Sequence, residues 1–232
     1  MPLLLAVSIL WGLSFGLIKA EFSALSPATL ATARIVIALP CFLPFLHRKA
    51  LRSLETVLPL LGIGAIQYGL MYLMLFEAFR HLQGHEVALL TIFTPLYVIL
   101  AESSLQRRTL PAAFWGCALL AVGGALWIFQ PESWPRNGPG ILLMQGSNAC
   151  FALGQVAYRR IRAAKDTSPR QHYALLFAGA LLPCFALLPT ANPIAELAHL
   201  DASQWVALFY LGSVATGLGF FLWNAGAMRV SA

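Results

Sequence analysis

Charge is what this sequence has least of. Lys, Arg, Asp and Glu make up 10% of its 232 residues, against about 25% in a soluble domain. So few charges cannot cover a globular surface, and most of the surface must face lipid. Catalytic signatures are missing as well. There is no GxxxxGK[ST] loop, no HExxH and no GxSxG elbow, which removes the common phosphate, zinc-hydrolase and acyl-transfer chemistries. No two carboxylates share a helix face inside an apolar run, so an enzyme is not expected. The four cysteines, Cys41, Cys117, Cys150 and Cys184, show no CxxC or Cys/His spacing. They read as buried free thiols. No metal and no cofactor are expected.

Long apolar runs take the place of these features. Eight segments, near 3–20, 27–46, 57–79, 86–104, 111–130, 140–158, 172–190 and 204–227, approach the roughly 20 residues that a helix needs to cross a bilayer. The fold class expected is all-α, a polytopic integral membrane protein with eight transmembrane helices. No basic stretch precedes Leu3 and no small-residue cleavage site follows. The first run therefore reads as a membrane helix and not as a signal peptide.

The net charge of +6 is spread over short loops, which argues against nucleic acid as a partner. Eleven basic residues fall on one side: Arg48, Lys49, Arg52, Arg107, Arg108, Arg159, Arg160, Arg162, Lys165, Arg170 and Arg229. The other side holds Lys19, Arg80 and Arg136. The positive-inside rule then places the N-terminus in the cytoplasm.

The chain also resembles itself. 11-WGLSFGLIK-19 matches 151-FALGQVAYR-159 at an offset of 140, and 38-ALPCF-42 resembles 180-ALLPCF-185. 64-GAIQYGLMYLMLFEAFR-80 matches 213-SVATGLGFFLWNAGAMR-229 at an offset of 149. Five helices separate the copies, so the second enters the membrane from the opposite side. Inverted repeats of this kind are a transporter device with the substrate site near the midplane. The expected division is a first repeat at 1–130 and a second, incomplete one at 131–232.

WG in the first run, 34-RIVIALP-40 and 78-AFRHLQGHEVALLTIFTPLYVIL-100 resemble the EamA-type permeases of the drug/metabolite transporter superfamily. The resemblance implies ten helices in two inverted five-helix repeats around a central path, in a bacterial inner membrane. It implies export of small metabolites: amino acids, amines, carboxylates or amphipathic drugs. The chain stops at Ala232, which aligns near Leu82, so eight of the ten helices are expected here. The partners expected are a small-molecule substrate and the bilayer, with a homodimer left open. The competing class is a non-transporting protein that only scaffolds.

Polar residues at mid-depth are the site candidates. Ser8, Trp11 and Phe15 share one helix face, and Gln145, Asn148, Ala152 and Gln155 share another. The offset of 140 sends Ser8 to Asn148, Trp11 to Phe151 and Phe15 to Gln155. The second offset sends Gln67 to Thr216. Trp11, Tyr68 and Tyr72 offer aromatic walls, although Tyr72 also suits an outer aromatic belt. Gly12 and Gly16 form a small-residue packing face, and Pro40, Pro95 and Pro183 mark kinks. Arg34 lies in a run with no other charge. It either pairs with Glu77 or Glu86, snorkels to the lipid surface, or attracts a substrate carboxylate in a cavity. Glu77 and Glu86 are otherwise coupling groups, or loop-end acids paired with Arg80 or His85.

Overall fold

The computed structural model describes residues 2–46, 53–106, 111–128, 137–164 and 169–227. Arg48, Lys49, Arg52, Arg107, Arg108, Arg136, Lys165 and Arg229, which carry much of the loop charge, lie outside the described residues. The rest is nearly all helix, with no strand among the described residues. In order, the helices are α1 (Pro2–Glu21), α2 (Pro27–Ala38), α3 (Leu54–Gly64), α4 (Met71–His81), α5 (Gly84–Leu90) and α6 (Thr94–Gln106). They continue with α7 (Ala112–Ile128), α8 (Gly138–Ala164), α9 (Pro169–Leu187), α10 (Pro193–Ala198), α11 (Ala202–Phe209) and α12 (Gly219–Ala227).

Helix stands at each position marked by an apolar run. Five stretches are long and apolar enough to cross a membrane: Pro2–Glu21, Leu54–His81, Gly84–Leu105, Arg170–Thr190 and Ala202–Ala227. Pro27–Cys41 and Ala112–Gly124 are shorter apolar helices.

Local chemistry sets the ends. Ser26 caps α2 by accepting from Thr29 N, with Pro27 in the first turn, and Asp201 forms a capping box with Gln204 at α11. Pro40 does not kink α2 but follows its end, inside a 3₁₀ turn at Leu39–Cys41. Pro95 lies in the first turn of α6, just past a 3₁₀ joint at Thr91–Phe93, and Pro183 sits inside α9. Glu196 on α10 accepts from Ser26 N at 2.8 Å. Burial raises this carboxyl, but hydrogen bonds from Ser26, Thr29 and Asn192 outweigh it and hold it below the usual carboxylate range.

Two rods are not continuous α-helix. A π-helical stretch at Ala65–Leu70 joins α3 to α4, and a second at Tyr210–Leu218 joins α11 to α12. The packing is built around these stretches. α9 lies against α3 and the first π stretch, α2 against the second, α4 against α8, and α1 against α12.

Glycine permits the close approaches, at positions other than Gly12 and Gly16. Those two have nothing near them, which corrects their reading as a packing face. A Cβ at Gly64 would collide with the Leu176 carbonyl, and one at Gly179 with the Leu61 carbonyl. The two contacts are reciprocal, backbone on backbone, where α3 crosses α9. Of the cysteines only Cys184 is buried; Cys41 and Cys117 are exposed and Cys150 is intermediate. An apolar run in a bilayer has outward faces, so apolar surroundings do not require burial in protein.

Helix association in lipid depends on such fits, because lipid tails are as apolar as the side chains. Gly64→Ala or Gly179→Ala is expected to destabilise the protein by about 1–3 kcal/mol through overpacking against backbone. Gly12→Ala should be silent. Thermal unfolding in detergent checks the contrast.

Candidate functional site

A cavity of about 820 Å³ opens between α1, α2, α4 to α8 and α12, within the roughly 300–1,000 Å³ of small-molecule sites. Trp11 stands in its wall. The Trp11 ring centroid is 5.0 Å from Phe220, 5.1 Å from Trp223 and 6.2 Å from Phe151. The Trp11 indole Nε1 donates to Ala215 O at 3.0 Å, inside the second π stretch. One side of the cavity is therefore a fixed aromatic surface drawn from α1, α8 and α12.

Arg34 lines the same cavity and is only 2% exposed. Its Nε and Nη2 donate to Thr216 Oγ1 at 3.2 and 3.0 Å, and Nη2 donates to Tyr72 OH at 3.1 Å. Tyr72 OH and Thr216 Oγ1 are 2.8 Å apart. The guanidinium carbon lies 4.6 Å from the Tyr72 ring centroid and 5.3 Å from that of Phe76, a double cation–π contact. Nη1 has no protein acceptor among the described residues.

Three expectations for Arg34 and its neighbours are corrected here. No carboxylate among the described residues pairs with Arg34. Glu77 lies 3.5 Å from Arg80 and 3.6 Å from His81, not His85, and Glu86 accepts from Gln83 N in the α5 capping box. Both acids are spent locally at helix ends, while Arg34 points inward. Tyr72 is buried against Arg34, so it belongs to no outer belt. Burial of Arg34 also removes lipid-facing snorkelling.

The α8 stripe divides by partner. Asn148 Nδ2 donates to Leu90 O at 2.8 Å and lies 3.4 Å from Gln145 Oε1, and Asn148 Oδ1 accepts from Thr94 Oγ1 at 3.3 Å. Asn148 lines the cavity but is committed to the joint between α5 and α6. Gln155 lines the cavity and accepts from Trp223 Nε1 at 2.8 Å. Gln145 is half-buried beside Asn148, outside the lining.

Gln67, Tyr68 and Thr216 are fully buried and stand behind the wall. Thr216 reaches the site only through Arg34 and Tyr72. Tyr68 OH accepts from Asn224, which also donates to Tyr173 OH at 2.7 Å, and Tyr173 donates to Phe220 O at 2.9 Å. Neither amide atom of Gln67 has a hydrogen-bond partner among the described residues; its stem is wedged against Gly154. Sequence reasoning missed Ser147, Trp223 and Asn224. The signal for Asn224, a lone amide in an apolar run, is the one that marks Asn148.

The model of the EamA-like transporter family matches residues 1–130. The chain belongs to the EamA-like transporter family. Proteins named "Biotin transporter" in Salmonella typhimurium and Escherichia coli are each 35% identical over 236 residues, spanning 100% of this chain and 77% of their own length. "Protein PecM" of Dickeya dadantii is 27% identical over 84% of this chain and 65% of its own. A crystal structure at 21% identity and TM-score 0.68 covers 98% of this chain and 78% of the other, a likeness of fold. This EamA protein is thus a multi-pass membrane transporter, not an enzyme. Its substrate is a small molecule and its surroundings are lipid.

An orphaned buried amide costs about 1–3 kcal/mol. Gln67→Met, nearly equal in shape, is expected to raise the unfolding temperature in detergent. A drop would show that the amide is satisfied in the folded protein.

Proposed function

We propose that this EamA protein carries a monocarboxylate with a compact ring body, with biotin as the leading cargo, through the central cavity by alternating access. One observation carries the reading: a cation with no acid partner among the described residues lines an apolar cavity with an aromatic wall. A carboxylate on the cargo would supply Arg34 with the missing counter-charge through Nη1, in a charge-assisted hydrogen bond. The ring system would lie on Trp11, Phe220 and Trp223. The names of the relatives support biotin, which has a carboxylate at one end and a compact bicycle at the other.

Two inverted repeats, 1–130 and 131–232, would rock around this site. The packing supports that symmetry. Exchange of α1 with α8 and of α4 with α12 turns the α1–α12 contact into the α8–α4 contact. Exchange of α2 with α9 and of one π stretch with the other turns the α2 contact into the α9 contact. The mates Trp11 and Phe151 touch edge-on, 85° between planes, as residues near a two-fold axis would. We place the N-terminus in the cytoplasm of a bacterial inner membrane, with eight spans in the residues given. The resemblance implies outward movement. The scaffold alternative leaves an aromatic cavity with an inward arginine unused.

Transport of labelled biotin and a panel of monocarboxylates into proteoliposomes tests the proposal. Arg34→Ala is expected to lower transport efficiency about 10- to 100-fold, the loss of one hydrogen bond to a charged group. Arg34→Lys should retain part of the flux. Methyl esters should compete poorly in the wild type. No saturable flux of any carboxylate would sink the reading.

A further inference from the structure

We propose that Gln155, held by Trp223, is a specificity-determining residue that donates its amide N–H₂ group to a carbonyl oxygen on the cargo. The inference rests on the carboxylate reading above and adds a second recognition point to the same cavity.

The orientation of the Gln155 amide follows from chemistry. An indole nitrogen is only ever a donor. Trp223 Nε1 lies 2.8 Å from Gln155, so the oxygen of the amide must face the indole. The nitrogen, with two N–H bonds, must face away from it. Trp223 is itself fixed by Trp11 at 5.1 Å and by Phe151 at 6.1 Å. The neighbouring Gly154 lets α8 press against the Gln67 stem, which anchors the backbone at Gln155. Gln155 is only 7% exposed and lines the cavity, and no acceptor for its Nε2 is found among the described residues.

The other donors in the wall are spent. Trp11 donates to Ala215 O, Ser147 to Met71 O, Asn148 to Leu90 O and Thr94 to Asn148 Oδ1. Two residues of the lining then keep nitrogens with unused hydrogens, Arg34 and Gln155. A cavity that offers one charged and one neutral donor selects a molecule with two acceptors. Arg34 takes the carboxylate, and Gln155 takes a separate carbonyl of the ureido, amide or lactam class. Biotin carries a ureido carbonyl on the ring opposite its carboxylate arm.

The probe is 2-iminobiotin, whose cyclic guanidine is protonated at pH 8, so a cationic C=NH₂⁺ donor replaces the neutral ureido C=O acceptor while the rest of the skeleton is kept. Competition against labelled biotin uptake in proteoliposomes, at pH 8, gives the preference ratio. Wild type should prefer biotin by about tenfold or more, since a site built to hydrogen-bond one group rejects the analogue lacking it. Gln155→Met should lower the ratio without abolishing it, because desolvating the cationic probe in the cavity still costs free energy. Gln155→Glu keeps an acceptor for Trp223 but removes the donor, and should shift the preference toward the imino compound. In both variants the poor competition by biotin methyl ester should persist, which reports a folded site with Arg34 in place. Arg34-dependent uptake with an unchanged biotin-to-iminobiotin ratio in both variants would overturn the role of Gln155 alone. Absence of any Arg34-dependent uptake in the wild type would overturn this role together with the carboxylate reading.

Discussion

One buried guanidinium organises the centre of this protein. A charge inside a bilayer costs about 2.5–3.5 kcal/mol even on permissive insertion scales. Arg34 meets that cost without an acid among the described residues. It spreads its charge over the Tyr72 and Phe76 rings and donates to Thr216 and Tyr72. Those partners come from α4 and the second π stretch, so one side chain on α2 ties both halves of the chain together. The approach depends on Gly212, where a Cβ would run into Ile37 and lie 3.1 Å from the Arg34 carbonyl. Lengthening that contact would pull Thr216 away from the guanidinium.

The π stretches follow from the same demand. A π turn holds one more residue than the regular ladder and displaces side chains around the rod. In the second stretch Thr216 Oγ1 donates to Leu211 O, five residues back, at 2.8 Å. This bond leaves the lone pairs of the hydroxyl aimed at Arg34. The Ala215 carbonyl in the same stretch receives Trp11. The aromatic wall and the cation are therefore positioned by one irregular segment, and regular helix there would separate them.

That irregularity explains what the sequence could not disclose. Helix positions were legible because apolar runs of bilayer length have few other uses, and Trp11, Asn148 and Gln155 were legible because α1 and α8 keep a 3.6-residue period through the site. Gln67 and Thr216 were marked as polar residues inside apolar runs, and both are fully buried. Each lies within a π stretch, where the extra residue rotates the face by about 100° relative to a regular helix. Burial survived that rotation, but direction did not, so both stand behind the cavity. The ion-pair alternative for Arg34 failed for a different reason, while its place in a cavity lining agrees with the structure. Charge counting looks for acids, whereas two hydroxyls and two rings leave no charge signature. Gly12 and Gly16 misled because small-residue spacing marks a face without saying what lies against it.

The spent and unspent donors carry the argument to the cargo. A cavity whose hydroxyls and indoles were free would bind water well and discriminate poorly. Here most wall donors are tied to backbone carbonyls, which leaves a surface that is apolar over most of its area, with Arg34 and Gln155 as its polar recognition points. On the proposed reading, Arg34 is electrically incomplete until a carboxylate arrives, so cargo binding removes a cost that the empty site bears. Ligand that binds the folded state alone stabilises it by mass action. The guanidinium joins α2 to α4 and the second π stretch, so that stabilisation acts on the helix contacts that would have to rearrange together in alternating access. Recognition and the rocking motion would then share one residue, which is how a carrier keeps its empty and loaded states energetically distinct.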